Sequence, residues 1–567
     1  MAAQSLSNTR RETLYTRRQI EALIAEGRSI IVKNGKVLKV DAWLPYHPGG
    51  DKAIKHMIGQ DATDQVQALH SAEALARMDR YQIGKIEGRW ENFIPPIQGG
   101  RFRSLADEVV GVDGQDSDAQ SSSSRSSVAE DEVFDSDEQR LRRRHIGNQS
   151  HSRDTSATSV SSTEAVTYKP KPSDPGLAHL DARTQEEINF DLASYPSLDP
   201  VIQDEVIQKY RLLNERIKAE GLYQCPYSAY AWECLRYAFL FCLFLTFLHV
   251  EWYIASAISL GLLWHQLVFT VHDAGHMGIT HNYQIDTGIG ILIADFIGGL
   301  SVCWWKHNHN VHHVVTNSPE HDPDIEHMPF FAISHRFFQS LKSTYYDRIM
   351  TYDPFAKFTL RYQHLLYYPI LAFGRFNLYF LSWSYIILGQ GPRKGAAAWH
   401  RWFELVGQVF FWIWFGYFTL YRSIDGGWNR FLFLLISHVT TMPTHVQITL
   451  SHFAMSTADL GPAESFPQKM LRTTMDVDCP PWLDFVHGGL QFQAVHHLFP
   501  RLPRHNLRKA QKLVIEFCEE TKIPYAVFGF AEGNGKVIGR LGEVAGQARL
   551  LAECQKVVSK ERDFGMH

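Results

Sequence analysis

Two rhythms of apolar residues divide the chain. Near the start, "SIIVKNGKVLKVDAWL" alternates around an Asn-Gly pair and predicts two short strands joined by a tight turn. Short helical patterns follow it, and the region 13–99 reads as one compact α+β domain. From residue 232 onward the rhythm changes to long unbroken apolar runs. A membrane-spanning helix needs about 20 mostly apolar residues. The stretches 232–250, 253–271, 404–421 and 430–450 meet that length, and they fall into two tight hairpins. Two further stretches are weaker: 287–305 is glycine-rich, and 365–388 carries Pro369, Arg375 and Asn377. Both are expected to lie at the membrane interface or to be partly embedded.

Between these regions, "GQDSDAQSSSSRSSVAEDEVFDSDEQRLRRR" is dominated by Ser, Asp and Arg. Such a composition buries too little surface to offset its ordering entropy, so 100–180 is expected to be a disordered linker. The remainder, 181–567, forms the third region. A net charge of −4 gives no argument for a nucleic-acid partner. Seven cysteines without CxxC pairs make no disulfide framework. The N-terminus has no apolar core of a signal peptide, so the first region is expected to stay cytosolic. Two hairpins then place that region, the loop 272–403 and the C-terminal tail on one membrane side. The Lys/Arg-rich segments fall there, as the positive-inside rule requires.

Histidines crowd onto the same side. "HDAGH" puts His272 and His276 at i and i+4; "HNVHH" puts His309, His312 and His313 at i, i+3 and i+4. On helices these share a face, as ligands of a common ion should. "QAVHH" repeats the pattern at Gln493, His496 and His497, with Gln in the first place. One such cluster could be a polar juxtamembrane helix, but three returning to one face point to metal. No Cys accompanies them, which argues against a structural zinc site. Seven or more imidazoles suit two ions, and iron, copper, nickel and zinc all remain open on spacing alone.

The boxes resemble those of membrane fatty-acyl and sphingolipid desaturases, and the QxxHH form resembles the front-end subclass. That resemblance implies a di-iron centre and a further histidine after the last span, which "QITLSHF" supplies as His452. Gln493 departs from the all-histidine pattern of the wider family, leaving open whether it binds directly or through water. His307, His321, His327, His438, His445 and His505 match no box and are given ordinary polar or supporting roles.

A second resemblance lies near the N-terminus. "HPGGDKAIKHMIGQDATDQVQALHS" carries His47 in a Pro-Gly-Gly turn, able to bring backbone close to a flat ligand, and His70 at a helix end. The stretch 13–88 is similar to the haem-binding core of cytochrome b5. By that resemblance His47 and His70 are the axial ligands of haem b, which leaves no open iron position and suits electron transfer. Without CxxCH the haem would be held noncovalently.

The implied architecture is an α+β cytochrome b5-like domain joined by a disordered linker to an all-α polytopic membrane desaturase domain. Domain order and the segments "YTRRQIEALIAEGR" and "PPIQGG" look most like fungal Δ8-(E)-sphingolipid desaturases. The implied reaction is O2-dependent desaturation of a membrane lipid, the long-chain base of ceramide or glucosylceramide. No flavin or nicotinamide motif occurs, so NADH-cytochrome b5 reductase is the expected donor, and the endoplasmic reticulum membrane the expected location. A front-end Δ6/Δ5 fatty-acyl desaturase, a related lipid hydroxylase and a membrane-anchored electron carrier are the rivals. The last leaves all three boxes unexplained.

Overall fold

The computed structural model describes residues 11–105 and 175–564. Most of the expected linker, 106–174, lies outside the described residues. Its last six residues open a helix, Pro175–Ser194, which belongs with the membrane region. The described residues 11–104 and 175–564 belong to one compact unit.

The N-terminal part is a four-stranded sheet in the order β1-β4-β3-β2, made of β1 (Leu14–Tyr15), β2 (Ile30–Lys33), β3 (Lys36–Lys39) and β4 (Gln82–Ile86). The β2–β3 hairpin pairs Val32 with Val37 across Asn34-Gly35, both at positive φ as a twist-matched two-residue turn requires. Helix α1 (Arg17–Ala25) starts at a reciprocal capping box between Thr16 and Gln19. Its Ile20 and Ile24 pack on Ile30, Val37 and Ile58. Three short helices, α2 (Asp51–Lys55), α3 (Thr63–Leu69) and α4 (Ala72–Met78), cover the remaining side.

In the membrane region four helices are long and apolar enough to cross a bilayer. They are Tyr227–His249, Tyr253–Gly275, His400–Arg422 and Gly427–Phe453, matching the four expected spans. The first, α5, has only 11% of its apolar window buried, as a helix facing lipid should. The second, α6, is 67% buried and forms the centre of the bundle. Both weaker stretches are broken helices. Helix Tyr283–Ile297 turns by 120° into α7 (Val302–Val315), and Gln363–Ala372 turns by 65° into Gly374–Leu388. The first bend falls at Gly298 to Ser301, where the Ser301 hydroxyl accepts from the Trp304 N–H and starts α7. The fourth span is interrupted at Thr440 and Thr441, and its second half, α8 (Met442–Phe453), carries His452.

The N-terminal part sits directly on α7. Val311, Val314 and Val315 join Ile31, Leu38, Met57 and Val66 in one apolar cluster. Polar contacts ring it. Arg211 holds Asp64 with two nitrogens at 2.8 and 3.3 Å, and Lys52 Nζ donates to the Thr344 carbonyl at 2.8 Å.

Candidate functional site

Four helices, two of them through their C-terminal ends, deliver the box histidines to a single buried place. His272 ends α6 and His276 caps it. His309, His312 and His313 share one face of α7, and His452 ends α8. His496 and His497 lie on α9 (Gln493–Leu498). His272, His276, His309 and His496 bring ligand nitrogens within 4.8 Å of one another, and so do His312, His452 and His497. His313 stands between the groups, with ring centroids 4.8 Å from His276 and 4.3 Å from His497. Gln493 is buried one turn before His496, and its amide makes no hydrogen bond among the described residues.

The nitrogens meet as ligands of a cation would. His312 Nε2 is 3.2 Å from His497 Nε2, and His313 Nε2 is 3.1 Å from His309 Nε2 and 3.2 Å from His496 Nε2. His312 Nδ1 lies 2.8 Å from Asp322, and His309 Nδ1 3.2 Å from Asp324. A carboxylate fixes the proton on Nδ1 and leaves a lone pair on Nε2. His272 Nε2, His276 Nε2, His313 Nδ1 and His452 Nδ1 are buried without any hydrogen-bond partner. Orphaned polar atoms in such number are costly unless something binds them. An all-imidazole set with carboxylates behind it suits iron, and equally copper, nickel or zinc. Burial and the neighbouring imidazoles both disfavour protonation of His496 and His497, which keeps them available as ligands. Burial opposes ionisation of Asp324, but His312 and the hydrogen bond from His309 hold its carboxyl below the usual range.

Asp322 and Asp324 escaped the sequence reading. Their signal was the acidic "HDPD" that begins eight residues after the second box ends. The Asp of "HDAGH" also has a use. Asp273 accepts from Arg504 Nη1 at 2.6 Å and from the Tyr230 hydroxyl, and Arg504 also pairs with Glu233, tying α5, α6 and the segment after the third box together. Asp476 performs a similar service for that box. It accepts from the Ala494 N–H at 2.7 Å, at the start of α9. Trp305 stacks on His309, with centroids 4.5 Å apart, and lies over Gly275, where any Cβ would meet its ring at 2.1 Å. The histidines that match no box stay outside both groups. His438 stacks on Phe376, His445 contacts the Leu371 carbonyl and His505 reaches Glu233.

His47 and His70 face each other with ring centroids 5.9 Å apart. His47 Nδ1 is 2.6 Å from the Gly50 carbonyl and His70 Nδ1 is 3.0 Å from that of Val66. Those carbonyls claim the Nδ1 protons, so both Nε2 lone pairs are free for one metal between the rings, a geometry that fits bis-histidine haem. Burial lowers the pKa of His47, and burial together with His47 lowers that of His70 to about 3. The glycines of "HPGG" also make close contacts with a neighbouring helix. Gly50 has φ +82°, and a Cβ there would lie 2.4 Å from the His307 ring; one on Gly49 would lie 2.7 Å from Asn310 Nδ2. The turn is thus pressed against α7, on the side away from its box. Arg501, four residues past His497, donates to the His70 carbonyl at 2.8 Å.

Comparison with known proteins matches the two regions that carry these histidines to two families. Residues 16–87 match the "Cytochrome b5-like Heme/Steroid binding domain" family and residues 250–529 match "Fatty acid desaturase". A "Delta 8-(E)-sphingolipid desaturase" of Emericella nidulans is 60% identical over 98% of this chain and 99% of its own. The chain belongs to the Δ8-(E)-sphingolipid desaturases. Proteins of the same name from Kluyveromyces lactis and Candida albicans are 49% and 47% identical. They cover 97% and 96% of this chain and 95% and 98% of their own lengths. Membership in these desaturases makes the chain an oxidoreductase with a fused cytochrome b5-like domain and a multi-pass membrane domain.

Proposed function

We propose that this protein introduces the C8 double bond into the long-chain base of a ceramide or glucosylceramide, in the E geometry its relatives' name carries. The convergence of two imidazole groups beneath a domain with an opposed histidine pair is the observation that supports this reading. His47 and His70 would hold haem b. His272, His276, His309 and His496 would hold one iron, His312, His452 and His497 a second, with His313 and Gln493 completing the set. Iron in this setting supplies, with O2, the oxidising power to remove hydrogen from an unactivated methylene.

The chain's own residues do the rest. Asp322 and Asp324 hold His312 and His309 in the tautomer that presents Nε2. Trp305 and the surrounding apolar helices keep water from the site. Electrons would enter through NADH-cytochrome b5 reductase, with the haem domain and boxes on the cytosolic side of the endoplasmic reticulum membrane. Expression in a yeast whose sphingoid bases are saturated tests the proposal, with mass spectrometry of both long-chain bases and acyl groups. A new C8 double bond in the base is the expected result. A double bond confined to acyl chains, or a hydroxyl in its place, overturns the substrate or the reaction.

A further inference from the structure

Beside the N-terminal end of α7 lies a small cavity that no box histidine lines. Tyr283, Thr287, Cys303, Lys306, Tyr385 and Glu404 are among its lining residues, with Pro48 of the "HPGG" turn. Glu404 is fully buried. One of its oxygens accepts from the Ser301 hydroxyl at 2.7 Å and the Cys303 N–H at 2.9 Å. The other, Oε2, is buried with no partner. Lys306 is 7% exposed and has no carboxylate within ion-pair distance among the described residues. Among the described residues its polar contact is the Thr287 hydroxyl at 3.5 Å, and its ammonium sits 5.0 Å from the centre of the Tyr283 ring. A buried carboxylate oxygen without a partner and a buried ammonium with one long hydroxyl contact, both lining one cavity, are costly unless a ligand pairs with them.

We propose that this cavity receives the polar head of the long-chain base, with Glu404 accepting from an amide N–H or hydroxyl and Lys306 donating to a hydroxyl or carbonyl oxygen. The inference rests on the sphingolipid reading above and adds to it the residues that would select the head group. A sphingoid head offers donors and acceptors on adjacent carbons, which such a pair requires. A fatty-acid carboxylate offers acceptors only, which meet Lys306 but leave Glu404 Oε2 without a donor, so the Glu404 side of the pair favours a head that carries an N–H or hydroxyl.

Position supports the assignment. Lys306 precedes His309 by three residues and His313 by seven, so the head would sit about 5–10 Å along the helix axis from the box at 1.5 Å per residue. Trp305 lies between the cavity and the histidines, against His272, His276 and His309. The helix thereby acts as a ruler, with head recognition at one end and chemistry at the other.

The test compares N-acyl sphinganine with its analogue lacking the C1 hydroxyl, using the full-length enzyme and the variants Lys306→Met and Glu404→Gln. Glutamine keeps a carbonyl oxygen for Ser301 and Cys303 and changes only the free oxygen into a donor. Haem absorbance and iron content report that each variant is folded and loaded. The wild type is expected to favour the hydroxylated substrate by about tenfold or more in kcat/KM. That preference should shrink in Lys306→Met, with KM rising more than kcat falls. Glu404→Gln should raise KM for both substrates through the amide while leaving acyl chains a better substrate than in the wild type. A wild type indifferent to the hydroxyl, or variants that slow all substrates by one common factor, overturns the proposal. A wild type that forms no C8 double bond in any long-chain base overturns the functional reading itself.

Discussion

The protein contains two histidine sites that hold their rings by different means. His47 and His70 are 23 residues apart, and each gives its Nδ1 to a backbone carbonyl a few residues away, Gly50 and Val66. The box histidines come from segments spread over more than 200 residues, and two of them lean on the side-chain carboxylates Asp322 and Asp324. The first site is built within a small domain. The second exists only when the helices around it have packed. A backbone carbonyl cannot be mutated away, whereas a carboxylate can, so the second site should be tunable through its supports in a way the first is not.

The sharpest way to break the comparison is to remove a ligand from each side. His312→Ala or His496→Ala should abolish desaturated product while the haem absorbance of the purified chain is unchanged. His70→Ala should abolish both the haem absorbance and the product while iron content stays. Loss of haem in the first pair would mean that the sites are not separable.

A smaller effect follows from the supports. Asp322→Asn keeps the shape but no longer fixes the proton of His312 on Nδ1, and should cost about 10–100-fold in iron affinity or activity. Metal analysis together with turnover checks it, and full activity would show that the carboxylate does not set the tautomer. Gly50→Ala should cost about 1–3 kcal/mol through its positive φ and its contact with His307. A thermal scan of the full chain reads that loss.

The smallest effect is one of pH at the contact between the domains. His56 and His321 lie with ring centroids 5.3 Å apart. Burial, then His321, Lys469 and Lys52, lowers the pKa of His56 to about 2. Burial also lowers that of His321 to about 4, with Asp459 opposing and Lys469 and Arg336 reinforcing. Both are depressed below 6.5, so their stabilising contribution is complete above pH 6.5 and is lost as pH falls through 4 toward 2. From pH 7 to 5.5 the contact should weaken on the order of 1 kcal/mol for each group. Hydrogen exchange in α7 and the "HPGG" turn would follow it, and His321→Gln should flatten the dependence.

The same contrast explains what could be read without coordinates. The four spans and the box histidines were legible because length, period and spacing are local properties of a chain. The opposed pair His47 and His70 was legible for the same reason. Asp322 and Asp324 were not, since nothing in "HDPD" says which ring each acid will meet. The glycines of "HPGG" were noticed, but their neighbours proved to be His307 and Asn310, 257 and 261 residues away from Gly50 and Gly49. Lys306 and Glu404 left no pattern at all. Their relevance arises from what burial denies them, which only packing reveals. The helix at Pro175–Ser194 was hidden within a polar stretch because its support is tertiary: Arg183 reaches Glu543, and Thr184 reaches His335.

The cluster that joins Met57 and Val66 to Val311 and Val314 has a practical consequence. The two halves of the catalyst are held by a surface, and the covalent joint between them is a convenience of synthesis. Two separately expressed chains, ending and beginning within 106–174, should therefore find each other and copurify as a working enzyme. The haem domain could then be exchanged like a cartridge, provided that the replacement presents the same glycine turn to the same helix.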